Sequence, residues 1–156
     1  MIRFARMNVV PASVVALVAG LLALPGVTAA EAATSSLRFS KVYYDSPGAD
    51  SGSNTSLNAE WIRIKNYSTT TKKYLTGWTV RDKSAHIYKF GAFALNPGAS
   101  VTLYTGKGTN SSTKRYWAYN GYIWNNSGDT AYLRSSNGTL MDTCAWTAVG
   151  VGSKLC

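Results

Sequence analysis

The chain has 156 residues, with 16 Lys+Arg against 7 Asp+Glu and a formal net charge of +9. A chain of this size suits one compact domain with its own core, and a charge excess of this sign favours polyanions and also simply favours solubility. The single histidine and two cysteines lack the spacing of a zinc site, so no metal or cofactor is expected.

Arg3 and Arg6 precede an apolar run from Val9 to Leu24, which is interrupted by Pro11, Ser13 and Gly20 and stopped by Pro25-Gly26. A charged segment followed by a short apolar one is the pattern of an export signal, whereas a membrane span needs ~20 unbroken apolar residues. Val27-Thr28-Ala29 and Ala30-Glu31-Ala32 both satisfy the small-x-small rule, and cleavage is predicted between Ala32 and Ala33. A short segment, 33–36, would then lead into one domain over 37–156, secreted, extracellular, monomeric and without a membrane span in its mature form. Taking Arg3, Arg6 and Glu31 away leaves 14 basic against 6 acidic residues. The partner is accordingly expected outside the cell: an anionic wall polymer, a polysaccharide, nucleic acid or a protein.

The mature part reads as short alternating or β-branched runs bounded by turn residues, with no helix signal. The predicted strands are Leu37 to Tyr44, Glu60 to Asn66, Leu75 to Arg81, Ile87 to Phe90, Ser100 to Tyr104, Arg115 to Trp117, Thr130 to Arg134 and Leu140 to Trp146. In the second, Ile62 and Ile64 point to a dry face and Trp61, Arg63 and Lys65 to a wet one. Asp45 to Asn58 is polar and is predicted as a long loop. Ser46-Pro47-Gly48, Asn96-Pro97-Gly98 and Asn120-Gly121 are turn chemistry, and Asn137-Gly138 predicts a tight hairpin whose Asn-Gly pair accepts positive φ. Many short strands without helices indicate an all-β sandwich or barrel. Cys144 and Cys156 are expected to be oxidised in an exported chain, and pairing within one chain would pin the C-terminus onto the last strand.

Several strings together resemble the lamin tail domain family in its exported bacterial form. They are NAEWIRIKN, carrying Glu60, Ile62, Ile64 and Asn66; LTGWTVRD, carrying Gly77, Trp78 and Asp82; LNPGASVTLYTG, carrying Pro97 and Gly98; and IWNNSGDTAYLRSSNGTLMDTC, carrying Trp124, Gly128 and Asp129. The resemblance implies an immunoglobulin-like β-sandwich that binds or tethers and has no shared active site. It also places Trp78 as a central sandwich tryptophan.

Other constellations compete with that reading. A secreted hydrolase would have to draw on Glu60, Asp82 and Asp129, or on His86 with Ser84 and Asp82, but three groups on one short segment do not make a triad, and strand-end hydrogen bonding explains the acids. His86 is therefore taken as an exposed strand histidine. Asp45, Asp50 and Glu60 bracket a Ser/Gly/Asn-rich loop of the chemistry calcium needs, without a known calcium-loop spacing. Lys72, Lys73, Lys107, Lys114 and Arg115 are the candidate basic patch, set against a scattered, solvated surface. Trp117 and Tyr119, placed on one face by alternation, are the candidate exposed aromatics, suited to sugar rings, bases or a protein partner.

Overall fold

The computed structural model describes residues 35–147 and 152–156; the expected export signal and the predicted cleavage pair Ala32 and Ala33 lie outside them. The first strand, β1 (Leu37–Tyr43), is followed by a helix, α1 (Asn54–Ala59), and then by β2 (Trp61–Asn66), β3 (Lys73–Tyr74), β4 (Thr79–Arg81) and β5 (Ile87–Lys89). After these come β6 (Ala94–Leu95), β7 (Ser100–Tyr104), β8 (Lys114–Tyr116), β9 (Gly128–Arg134), β10 (Leu140–Thr147) and β11 (Ser153–Leu155). One sheet has the order β11-β1-β2-β7-β8, a second the order β10-β9-β4-β5, and β3 with β6 forms a small ribbon. The architecture is all-β, with sheets packed as a sandwich. Among the described residues no helix is long and apolar enough to cross a membrane.

The alternation in the sequence decides which side chains fill the core. Ile62 and Ile64 of β2 are fully buried beside Val101 and Leu103 of β7, in one cluster with Val80 of β4, Ala131 and Leu133 of β9, and Cys144 and Trp146 of β10. In β1 the register shifts between Phe39 and Lys41. This bulge lets Phe39 and Val42, three residues apart, both point inward. Trp124 is the tryptophan at the centre: it is buried, with Trp146 at 5.7 Å and Trp117 at 6.0 Å between ring centroids. Trp78 is half-buried and packs at the margin of the cluster, beside a recess lined by Leu37, Tyr74 and Met141.

Several local expectations need correction. Residues 54–59 form a helix inside the segment predicted as loop, capped by Ser53, whose Oγ accepts from Ser56 N at 3.2 Å, and anchored by the buried Leu57. With one buried residue in six, the helix shows no periodicity. The single run predicted from Leu75 to Arg81 is broken: Trp78 N donates to Leu75 O at 2.8 Å across a turn in which Gly77 has φ +79°, and only Thr79–Arg81 remains strand. At the final hairpin, Gly138 N donates to Ser135 O at 2.9 Å and Gly138 alone takes positive φ, at +86°. Residues 135–138 thus make an ordinary turn ending in a left-handed glycine, instead of a two-residue Asn-Gly turn.

The disulfide is present, with Cys144 and Cys156 Cα atoms 5.5 Å apart, but it does more than pin a tail to the last strand. Cys144 lies on β10 of the four-stranded sheet. Cys156 follows β11, which pairs with β1 of the other sheet, and Cys156 N donates to Ser40 O at 3.1 Å. The bond therefore staples one layer to the other. Phe39 N, donating to Asp142 Oδ2 at 2.7 Å, is a second tie between β1 and β10.

Candidate functional site

The acidic residues serve the backbone. Glu60 is fully buried between α1 and β2, and its Oε1 accepts from Thr105 Oγ1 at 2.5 Å and from Ile123 N at 2.8 Å. Burial pushes its pKa up from 4.5 to about 7, against the hydrogen bonds from Thr105, Ile123 and Trp124, with the charge of Asp50 adding to the rise. Its Oε2 has no partner. Asp129, also fully buried, accepts from Lys83 N, Thr130 N and the backbone and side-chain nitrogens of Asn125 at 2.7–3.2 Å. Asp82, equally buried, accepts from His86 N at 2.8 Å and meets His86 Nδ1 at 2.7 Å.

His86 is consequently no free strand histidine. It sits in the turn before β5, held by Asp82 on one ring nitrogen and by Tyr119 Oη, 3.1 Å from Nε2, on the other. Ser84 is exposed in the same turn. Among the described residues no three His, Cys, Asp or Glu side chains gather as a metal site, and Asp45 instead accepts from Asn126 Nδ2 at 3.0 Å.

The five basic residues singled out in the sequence fall on different elements. Lys72 precedes β3 and Lys73 opens it. Lys107 is exposed, and its backbone is clamped by α1: Asn54 Nδ2 and Asn58 Nδ2 donate to its carbonyl at 3.0 and 2.9 Å, and its N donates to Asn54 Oδ1 at 2.7 Å. Lys114 opens β8, and the Arg115 guanidinium lies 3.9 Å over the Phe93 ring. Trp117 is half-buried, packed near Tyr88 and Trp124. Tyr119 is 40% exposed and bound to His86. Strand alternation does not connect these two aromatics, because β8 ends at Tyr116 and Ala118 takes φ +61°.

The family-like positions are structural. Asn66 is fully buried and donates from Nδ2 to Thr71 O, Leu95 O and Asn96 O at 2.8, 3.1 and 3.1 Å, while its Oδ1 accepts from Ser68 N at 3.0 Å. It thus ties the end of β2 to β6. Pro97 and Gly98, φ +71°, make the turn from Asn96 to Ala99 that starts β7. Gly128, φ +125°, closes the turn from Asn125 into β9.

The most organised array of exposed chemistry is the outer face of the five-stranded sheet, which strand pairing assembles in three rows. Tyr43 stands opposite Trp61, Trp61 opposite Tyr104, and Tyr104 opposite Tyr116. The next row is Lys41, Arg63, Thr102 and Lys114, and the third is Arg38, Lys65 and Ser100. Within the aromatic row Tyr43 stacks on Trp61 at 5.7 Å and Tyr104 on Tyr116 at 5.2 Å. The cations lie on rings: Arg63 on Trp61 at 4.9 Å, Lys41 on Tyr43 at 5.7 Å, and Arg38 and Lys65 on Tyr67 at 4.4 and 5.0 Å.

No carboxylate stands in these rows, and Arg38 Nε is shielded from water without an acceptor. Among the described residues the only side-chain ion pair is His86 with Asp82, so none of the five cations on the face is neutralised by an acid. Rings that hold Lys and Arg side chains in place lower the entropy lost when those charges take a ligand. The sequence pointed to this face at β2, through its alternation, and at Lys114, as a member of the candidate basic patch. It carried no signal that these belong together, since the partners come from strands far apart in the chain.

The family model described as Lamin Tail Domain matches residues 30–148, about three quarters of the chain. No curated protein matches it.

Proposed function

We propose, from the premise that the chain belongs to the lamin tail domain family, whose members are non-enzymatic immunoglobulin-like interaction domains, that it is an exported module binding an extracellular anionic polysaccharide on the outer face of its five-stranded sheet. The observation that carries this reading is the pairing of Arg38, Lys41, Arg63, Lys65 and Lys114 into two adjacent rows beside an aromatic row, with no acid among them. Sugar rings offer flat C–H faces to Tyr43, Trp61 and Tyr104, while their carboxylate or sulfate groups meet the cations. The burial of Glu60, Asp82 and Asp129 supports a non-catalytic role over hydrolysis, because none of the three is open to a substrate and Asp82 and Asp129 spend their oxygens on neighbouring protein groups.

Isothermal titration with a uronate oligosaccharide, a neutral oligosaccharide of equal length and single-stranded DNA tests the reading. Uronate should bind, the neutral sugar should not, and log K should fall with log salt by about 3 to 4 if all five cations release counterions with the single-strand coefficient. The pair Arg63→Gln with Lys65→Gln should weaken binding at least tenfold. Salt-independent binding would favour a protein partner docking on the aromatic row, and tighter binding to DNA than to uronate would replace the polysaccharide with nucleic acid.

A further inference from the structure

The opposite sheet carries a smaller cationic feature, a shallow recess. β4 and β9 pair with Arg81 opposite Tyr132 and Thr79 opposite Arg134, so Arg81 and Arg134 are diagonal neighbours on one outward face. Lys83 follows in the turn after β4. Arg81, Lys83, Tyr132 and Arg134 together line a recess of about 280 Å³, many times the ~30 Å³ share of one water in the liquid. The recess therefore has room for an oxyanion and part of the group that carries it.

Three observations say what belongs there. Arg81 Nε is closed off from water and has no acceptor, and the guanidinium forms no ion pair with a carboxylate among the described residues, so its charge is left unmatched at the recess. Arg134 is oriented by Nη1 donating to Gly138 O at 3.0 Å, which leaves its other N–H groups for a ligand. The neighbouring carboxylates form no ion pair with these cations: Asp82 accepts from His86, and Asp129 from Lys83 N, Thr130 N and Asn125. Lys83 is thus placed over the recess by its own backbone bond to Asp129, with its ammonium in no ion pair.

We propose that this recess is a discrete binding site for a phosphate or sulfate ester group, with Arg81 and Arg134 donating to its oxygens, Lys83 supplying a point charge and the Tyr132 hydroxyl a further donor. Two guanidinium forks and an ammonium around one open recess match a tetrahedral oxyanion with several acceptor oxygens. The site stands apart from the five-stranded face, so it does not rest on the reading of that face as a polysaccharide platform. A module with both would hold one anionic group on each side of the sandwich.

The test is a ¹H–¹⁵N NMR titration of the folded domain with inorganic phosphate and inorganic sulfate, against sodium chloride at matched ionic strength. It is followed by a phosphorylated and a sulfated monosaccharide to separate the two sources. Saturable shifts at the amides of Arg81, Lys83, Tyr132 and Arg134 and at Arg81 Nε are expected, weakened at least tenfold by Arg81→Gln or Arg134→Gln and unchanged by Arg63→Gln. Should Arg81→Gln fail to fold, the surface variants Lys83→Gln and Arg134→Gln carry the test. Shifts that grow linearly with salt, match those in chloride, or survive Arg134→Gln and Lys83→Gln would overturn the proposal, while binding of uronate on the other face could still stand. Loss of uronate binding in Arg63→Gln with Lys65→Gln, alongside an intact recess, is the converse result, and it would leave this site in place.

Discussion

Replacing Glu60 by Gln separates a charge effect from a shape effect at one buried atom. Glu60 is fully buried, and its pKa is raised from 4.5 to about 7 because burial penalises the carboxylate. The folded protein thus holds this proton more tightly than the unfolded chain does. The stability that the proton contributes is fully present below pH 4.5 and is lost as pH rises through about 7. At about 1.4 kcal/mol for each tenfold change in proton affinity, the interval amounts to about 3 kcal/mol. Gln keeps an Oε1 for Thr105 and Ile123 and does not ionise. Urea denaturation followed by tryptophan fluorescence at pH 4.5 and pH 8.5 should therefore show the native protein losing about 3 kcal/mol relative to Glu60→Gln across that range. A difference between the two proteins that is flat with pH, or that grows toward acid, would refute the buried-carboxyl account.

Reducing the Cys144–Cys156 bond, or replacing both residues by Ala, should cost about 3 kcal/mol for a loop of this length, read as a fall in denaturation midpoint; because the bond joins two layers, hydrogen exchange should rise at β11 and in β1. Asn66→Ala should cost about 3 kcal/mol in the same assay, since it strips the side-chain donors from three carbonyls and the acceptor from the Ser68 amide; near-neutral behaviour would show that water replaces it. Gly77→Ala should destabilise the domain by about 1 kcal/mol or more, because φ +79° is strained for an L side chain and the new Cβ would stand 3.1 Å from Ser136 Cβ. Tyr119→Phe removes a hydroxyl from His86 Nε2 and should leave stability within about 0.5 kcal/mol while changing the His86 ring ¹⁵N chemical shifts at one fixed pH.

The strands long enough to show their period were legible. Trp61–Asn66 and Ser100–Tyr104 alternate over five or six residues, and a side chain on a strand has two directions to choose from. The strands β3, β6 and β11, of two or three residues, carry no period and were missed. The helix escaped for a related reason, since its cap at Ser53 and its one buried residue, Leu57, are spread through a Ser/Asn-rich stretch that also suits turns. The sequence made Trp78 the central tryptophan, and the structure gives that place to Trp124, with Trp78 only partly buried at the margin. Which one sits at the centre depends on Gly77 breaking the strand before Trp78 and on Trp146 reaching Trp124 from β10.

The amino-acid sequence by itself determined the all-β class, the family, the turn positions at Gly98 and Gly138, the oxidation partners Cys144 and Cys156, and the cationic excess, because each is set by local backbone preference or by composition. Only the tertiary structure decided where the charge acts. Arg38, Lys41, Arg63, Lys65 and Lys114 come from three strands, and Arg81 meets Arg134 across a gap of more than fifty residues. Alternation assigns a side chain to a face of its own strand. The register between strands places it beside another, and that register is imposed by the burial of Ile62, Ile64, Val101 and Leu133 in a shared core.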